Sequence, residues 1–299
     1  STIDPLILQA NITYDTGFSK MIPLTLIHGF SGSPTDFLQS DCRRLASYGF
    51  FVIRPRMRGR GIPGSQDASA REVYDIYDTV KWARSQFSFV SKDHWVCVGF
   101  SGGGGNTFSV VSKFGDLCTY AVEHFGISSY SNWHAEGAAG VVSTLETWIG
   151  GSSGSGNLPI DIPANYAARE HINSVCKQLK LNIDTKMSGF HDTGDPAVVV
   201  SHSRDVRDLC LSLGAPFDYH ESSNGMWAHG YYQDNSNLGI NAENFWVPLA
   251  INSKPTKSLV FELDVRGYAI RPDYDGVVEI WLGERSSPVP KNDLTDAKT

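Results

Sequence analysis

The sequence predicts an α/β protein with a mostly parallel central sheet and helices on both faces, and three observations carry that prediction. Short apolar runs alternate with longer stretches of helical spacing from residue 22 to residue 250. Such runs suit strands buried on both sides, the pattern of a parallel sheet covered twice. One run, Trp95-Val96-Cys97-Val98, leads straight into Gly99-Phe100-Ser101-Gly102-Gly103 and then into a helix-like stretch from Asn106 to Phe114. A serine pushed out on a sharp strand-to-helix turn needs small neighbours, because a Cβ on either side would collide with the turn.

The elements follow in order. Ile22–Leu26 reads as a strand ending at His28-Gly29. Pro34–Tyr48 has helical spacing at Phe37, Leu38, Cys42 and Leu45, and Gly49 supplies a C-cap. Phe50–Ile53 is a buried strand, Arg71–Phe87 a helix, Trp95–Val98 a strand, and Tyr120–Phe125 another. From Ser128 to about Pro163 the alternation breaks around the run Gly150-Gly151-Ser152-Ser153-Gly154-Ser155-Gly156. A long interruption of this kind in a parallel α/β protein is expected to be a cap over the active site. Tyr166–Lys180 returns to one helix, Asp184–Gly189 to a strand, Val198–Leu213 to a helix and Phe217–Tyr219 to a short strand, with Phe245–Ala250 closing the section. The expected division is a catalytic domain over 1–250, with the cap at about 128–165, and a β-rich appendage and tail over 251–299. The hairpin signature of Ser258–Ala269 and Val277–Leu282, joined through Pro272-Asp273-Tyr274-Asp275-Gly276, motivates the appendage.

Composition narrows the function classes. With 299 residues, 41% hydrophobic and 19% charged, the chain can bury a sizeable core. A net charge of −7 argues against a nucleic-acid partner held by phosphate contacts. The arginines at 54, 56, 58 and 60 read as a local loop feature with acidic neighbours, the alternative being a site for an anionic substrate group. No apolar run is long enough to span a membrane, and the first residues carry no signal-peptide pattern. Five cysteines, an odd number, show neither CxxC nor Cys/His metal spacing, so reduced thiols and a cytoplasmic setting are expected. No phosphate-cradling glycine motif or metal-ligand set is present, and no cofactor is expected.

A nucleophilic serine needs a base, an acid that orients the base, and an oxyanion hole. The strand ending at Gly189 runs into His191-Asp192-Thr193-Gly194-Asp195-Pro196, so both Asp192 and Asp195 lie just past a strand end. The strand Phe217–Tyr219 is followed by Met226-Trp227-Ala228-His229-Gly230, which puts His229 on the next loop; His220 competes from the strand itself.

These motifs together resemble the α/β-hydrolase superfamily, and within it the branch of prolyl-oligopeptidase-like peptidases, acetyl esterases and cocaine-type esterases. The likeness runs over about residues 15 to 235. That branch's acid loop reads His-Gly, two residues, Asp, two residues, Val; His191, Asp195 and Val198 keep the spacing, with Asp192 in the glycine's place. The resemblance therefore selects Asp195 over Asp192. Its Gly-His-Gly ending appears as Ala228-His229-Gly230, and its Arg-Gly-x-Gly loop as Arg58-Gly59-Arg60-Gly61, preceded by Arg56-Met57 where an aspartate is usual. It implies Ser101 as nucleophile, His229 as base, and an oxyanion hole from the N–H groups of Gly102 and of Phe30, the latter in the loop His28-Gly29-Phe30-Ser31. His28 is then a packing residue of that loop. Trp133, Trp148 and Trp227 are candidate walls of a substrate pocket.

The leading expectation is a serine esterase that cleaves small-molecule or carbohydrate carboxylic esters through an acyl-enzyme. A prolyl-oligopeptidase-like peptidase or amidase is the alternative, ranked lower because only about 20 residues precede the Ile22 strand and leave no room for a gating domain. A non-catalytic binding module on the same fold comes third.

Overall fold

The structure is a computed structural model that describes residues 6–60, 66–115, 117–150, 156–181, 184–230 and 236–254. Seven strands form one sheet: β1 (Gln9–Thr13), β2 (Ile22–Ile27), β3 (Phe50–Arg56), β4 (Val96–Phe100), β5 (Tyr120–His124), β6 (Lys186–Asp192) and β7 (Asp218–Ser222). Their spatial order is β1-β3-β2-β4-β5-β6-β7. Only β1 runs antiparallel, against β3; every other pairing is parallel. The chain steps outward from β2 to β3, then returns past β2 to β4. Loops leaving β2 and β4 at this switch point diverge and open a crevice at the carboxyl ends of the strands, where ligands bind in open α/β sheets.

Strand residues alternate between two cores. Leu24, Leu26, Phe50, Val52, Val96, Val98 and Val122 face one side, where α1 (Gln39–Ser47) packs Cys42 and Leu45 and α9 (Ser236–Ile251) packs Trp246 and Ala250. Phe51, Ile53, Cys97 and Ala121 face the other, against α2 (Glu72–Gln86), α3 (Gly102–Phe114), α7 (Ile172–Leu181) and α8 (Ser201–Leu213). This period of two on a doubly covered sheet explains the unbroken apolar runs. Between β5 and α7 lie α4 (Tyr130–Ala135), a 3-10 turn (Ala138–Gly140), α5 (Val142–Gly150) and α6 (Pro163–Ala167). These pieces share a third apolar cluster with Phe30, Ile127 and Val198, so the interruption is a helical cap seated on the crevice loops.

Sequence and structure differ in four places. Strand β1 was not expected, because its five residues are only partly buried at the sheet edge and lack an apolar run. The expected helix Tyr166–Lys180 is two helices. Arg169 turns out to pair with Asp67 at 2.7 Å, and His171 Nε2 sits 2.8 Å from Ser109 Oγ, so the chain bends between them. Phe245–Ala250 belongs to a longer helix, α9, that continues through Pro248. The expectation of reduced thiols fails for one pair: Cys176 and Cys210 form a disulfide between the facing helices α7 and α8, their Cα atoms 4.9 Å apart. They are 34 residues apart in sequence, so no local spacing announces the pairing. Cys42, Cys97 and Cys118 are free and buried.

The arginine-rich loop resolves as structural. Arg58 forms a buried two-pronged pair with Asp75 at 2.6 and 2.9 Å, Arg60 pairs with Glu72 at 2.8 Å, and Arg54 donates to Pro34 O and Phe37 O. Among the described residues no helix is long and apolar enough to cross a membrane. The expected β-rich appendage falls almost wholly in 255–299, outside the described residues. Ser253, just before it, is fixed to the body by Thr119 Oγ1 at 3.0 Å and His94 Nε2 at 2.9 Å.

The disulfide has a direct check. Protein unfolded in guanidinium without reductant should titrate three thiols with Ellman's reagent, and five after reduction. Five before reduction would remove the Cys176–Cys210 bond.

Candidate active site

Ser101 is the hinge between β4 and α3, with φ 56° and ψ −120°. A non-glycine residue there is strained, and such strain persists only where the surroundings enforce it. The enforcement is visible on both sides. Ser101 N–H donates to His124 O at 2.9 Å, and Gly105 N–H donates to Ser101 O at 3.1 Å. Helix α3 starts against the end of β2 so closely that a Cβ on Gly103 would overlap Ile27 O and His28 O. Gly102 packs on the Phe30 backbone, where an added Cβ would lie 2.7 Å from Phe30 N. The N–H groups of residues 30 and 102 thus come from two loops in contact beside the serine.

The loop Gly29-Phe30 is held from below. Arg60 Nη1 donates to Gly29 O at 3.2 Å and lies 3.0 Å from His28 Nδ1, which is itself 3.0 Å from Gly29 O, while its other prong meets Glu72. Burial, then the Arg60 charge, brings the His28 pKa down to about 3, which keeps its ring neutral. Burial raises the Glu72 carboxyl above the usual carboxylate range, with Arg60 opposing. The loop is held from above by the cap. Phe30 stacks on Trp148 at 3.9 Å and meets Trp133 edge-on at 5.3 Å, and the Arg60 guanidinium lies 5.0 Å over Trp148.

The two candidate acids separate by hydrogen bonding. Asp192 spends both oxygens on structure: Ser222 Oγ and Gly225 N–H on one, Gly194 N–H on the other. Asp195 accepts Ala197 N–H and Val198 N–H on Oδ1, at 2.8 and 3.0 Å, and its Oδ2 is 3.0 Å from His229 Nδ1. The Asp195 side chain is fully buried and His229 is about a quarter exposed, so the carboxylate is shielded and the imidazole faces solvent. Phe125 packs its ring 4.5 Å from the His229 ring. His220 is elsewhere, stacked on Phe190 and paired with Asp218.

Ser101 and His229 line one cavity of about 300 Å³, together with Gly29, Phe30, Phe100, Phe125, Trp133 and Val141. Of the three tryptophans read from the sequence, Trp133 is on this wall, its Nε1 donating to Ala197 O at 2.9 Å. Trp148 acts on the wall through Phe30. Trp227 packs in the core against Phe190, away from the lining residues. Phe125 and Val141 were missed; the first sits just past the end of β5, a position that topology alone sends to the crevice. Asp36 also reaches the cavity, with Oδ2 accepting Ser33 N–H at 2.9 Å. A larger hollow of about 610 Å³ opens at the opposite ends of β5–β7, beside Tyr120, Lys186 and Asp218, and contains neither serine elbow nor acid–histidine pair. No group of three or more metal-ligating side chains converges among the described residues.

A family model for the prolyl oligopeptidase family matches residues 38–245. The chain belongs to that family. Members of the prolyl oligopeptidase family are serine hydrolases on the α/β-hydrolase fold, and the sheet order and switch point described above are that fold. Among solved structures, the chain is similar to the acylaminoacyl peptidase of Pyrococcus horikoshii, at 14% identity and TM-score 0.66 over 84% of this chain and 40% of that one. An acylaminoacyl peptidase in complex with Z-Gly-Gly-Phe-chloromethyl ketone matches at 15% identity and TM-score 0.65, again over 84% and 40%. A protein described as a dipeptidyl aminopeptidase IV from Bacteroides ovatus matches at 16% and 0.61, over 81% of this chain and 33% of that one. The chain thus spans about two-fifths or less of these proteins' length. No curated protein sequence matches it.

Replacing Arg60 tests how much the crevice depends on its support. Arg60→Met leaves Glu72 buried with only Asn106 and the Asp67 N–H as partners, and loosens Gly29-Phe30. Breaking one side of a buried pair costs about 3–5 kcal/mol, so the urea midpoint should fall markedly and kcat with it. An unchanged midpoint would show that Arg60 does not hold the loop.

Proposed function

We propose that the chain is a peptidase-type serine hydrolase that cleaves small acyl amides, such as the bond after an N-blocked residue, through an acyl-enzyme. The observation that carries this reading is the Asp195–His229 pair, at 3.0 Å, opening into the same cavity as a strained Ser101. Ser101 Oγ attacks the carbonyl carbon while His229 Nε2 takes its proton and passes it to the leaving nitrogen. Asp195 holds His229 Nδ1–H, fixing the tautomer and stabilising the charged ring. The N–H groups of Phe30 and Gly102 receive the oxyanion, each supplying about 3–4 kcal/mol in the transition state. Water then enters, His229 takes its proton, and the acid is released. Membership of the prolyl oligopeptidase family favours amides over esters.

Carboxylic ester hydrolysis is the second reading, since the same steps cleave an ester with a better leaving group. The observation in its favour is the lining: Phe30, Phe100, Phe125, Trp133 and Val141 suit a small uncharged acyl group. N-acetyl-amino-acid p-nitroanilides assayed beside C2–C12 p-nitrophenyl esters and acetylated sugars rank the two. Detectable anilide turnover is expected; esterase activity with none would favour the second reading.

Ser101→Ala should lower kcat by about 10⁶-fold. Asp195→Asn should lower it by about 10⁴-fold, through the wrong His229 tautomer, with the unfolding midpoint little changed. Asp192→Asn should do the reverse, losing stability before activity. If Asp192→Asn were the more damaging to kcat, the acid would be misassigned.

A further inference from the structure

Directly beneath the site, Glu123 is fully buried in the middle of the sheet, flanked in register by Gly99 of β4 and Gly189 of β6. Nothing in the mechanism above uses it. We propose that Glu123 is a positioning residue: it holds the turn that presses Phe125 against His229 and heads a buried series of polar groups ending on the Asp195 loop. The proposal rests on the reading of Ser101, Asp195 and His229 given above.

Two observations carry it. The first is the turn. Glu123 Oε2 accepts Gly126 N–H at 2.8 Å, and Phe125 between them sits at φ 42°, a left-handed conformation unfavourable to a bulky residue. This bond fixes the direction of the Phe125 ring, and so the ring of His229 beside it. His124 O, one residue earlier, receives Ser101 N–H. One carboxyl thus anchors the segment that touches both partners.

The second is the chain of donors. His191 Nε2 is 2.8 Å from Val198 O, a carbonyl that can only accept, so Nε2 carries the proton. Burial lowers the His191 pKa and keeps the ring neutral, so Nδ1 must accept, and the Ser203 hydroxyl at 2.8 Å must donate to it. Ser203 Oγ, which lies beside the Glu123 carboxyl, then has only lone pairs left to offer it. Glu123 Oε1 reaches no partner within hydrogen-bond geometry and lies against Gly189, so an ionised oxygen there has no donor. Ser203 Oγ beside the Glu123 carboxyl makes the series Glu123, Ser203, His191, Val198 O contiguous. Val198 N–H is one of the two donors that position Asp195.

The other groups around Glu123 do not supply a countercharge. From β6 there is His191, neutral; from β7, Tyr219, held un-ionised by burial and bonded to Glu221; from α8, the Ser203 hydroxyl; and against Gly189, beside Oε1, the Phe217 ring. Burial pushes the Glu123 pKa up to about 8. A folded value above the unfolded one means the protonated group favours folding at low pH and that this contribution is lost as pH rises toward 8. Above it, a charge appears between two glycines, with no donor for Oε1.

The test uses the full chain with Glu123→Gln and Glu123→Ala. In the parent, kcat/KM for the best substrate of the panel should fall on the alkaline side with a midpoint near pH 8. Glu123→Gln keeps an acceptor for Gly126 and a donor for Ser203, so it should rescue kcat at pH 7 while losing the alkaline fall. Glu123→Ala should lower kcat about 10- to 100-fold with KM nearly constant, the scale of a small misplacement of reacting groups. The His229 ring-proton resonances, shifted by the Phe125 ring, should show an inflection near pH 8 in the parent and none in Glu123→Gln. That readout needs neither turnover nor a folded alanine variant. Superimposable pH profiles and resonances for parent and Glu123→Gln would overturn the proposal. Failure of Ser101 to label with a fluorophosphonate in the parent would instead overturn the serine assignment, and the His229 resonance would still decide on Glu123.

Discussion

Helix α3 approaches the sheet more closely than any side chain would permit, and the geometry of the crevice descends from that contact. Gly103 touches the carbonyls that end β2, and Gly104 lies against Gly126 just past β5. With the helix so close, its first turn cannot begin gradually, and Ser101 takes the whole change of direction in one left-handed step. The serine is lifted above the strand ends, and the backbone N–H behind it comes to face the β2 loop. A helix standing back by the width of a methyl group would relax the elbow and pull that N–H away from Phe30. Four consecutive glycines after the serine are therefore the condition for the elbow, and their entropic cost of about 0.5–1 kcal/mol each in a helix is borne by the packing around them.

A second layer of constraint is electrostatic. Below the crevice the chain buries Arg58 with Asp75, Arg60 with Glu72 and Asp67 with Arg169. Buried pairs of this kind contribute little net stability, because desolvation consumes most of the attraction. Their value here is directional. Arg60 reaches the carboxylate, the His28 ring and the Gly29 carbonyl at once, so the loop that carries Phe30 has one position rather than several. Asp67 ties Arg169, at the base of the cap, to the same region. The cap is thereby referenced to the loop it covers, and Trp148 and Trp133 meet Phe30 in a fixed arrangement.

How much of this the sequence discloses depends on the range of the interaction. The elbow is written in five consecutive residues, and the strands around it in apolar runs that need no partner to be recognised. Asp195 is separated from Asp192 in the sequence only by the resemblance to the branch's acid loop; in the structure the N–H groups of Ala197 and Val198 donate to Asp195. Contacts between distant elements are not so written. The bond from Cys176 to Cys210 joins two helices whose facing is decided by the sheet beneath them. The bend at Arg169 depends on Asp67, far away in sequence, and a helical pattern runs through it without interruption. Trp227 illustrates the converse: an aromatic next to His229 looks like a pocket wall, yet the residue alternates inward and fills the core against Phe190. Glu123 reads as an interruption of an apolar strand, and only the glycines across from it on β4 and β6 show why a carboxyl fits there.

The nine histidines show why a single one suits the base of the proposed reaction. A general base must change charge during the reaction, so its ring has to reach both a stabilising acid and the reacting proton. Burial brings His28 and His124 down to about 3 and His202 to about 4, and lowers His191 as well, so these four stay neutral through the working range. Each is used as a fixed donor or acceptor, or as a packed ring. His134 and His220 have carboxylate partners, Glu146 and Asp218, but neither is on the cavity wall. His94 is bound to the Ser253 carbonyl, and His171 to Ser69 O and Ser109 Oγ. His229 alone combines a buried carboxylate behind its ring with a place on the cavity that Ser101 also lines. The same burial that disqualifies the other rings lets His191 serve it indirectly, because a ring that never takes a second proton can hold the Val198 carbonyl, and with it the Asp195 loop, in one place through every turnover.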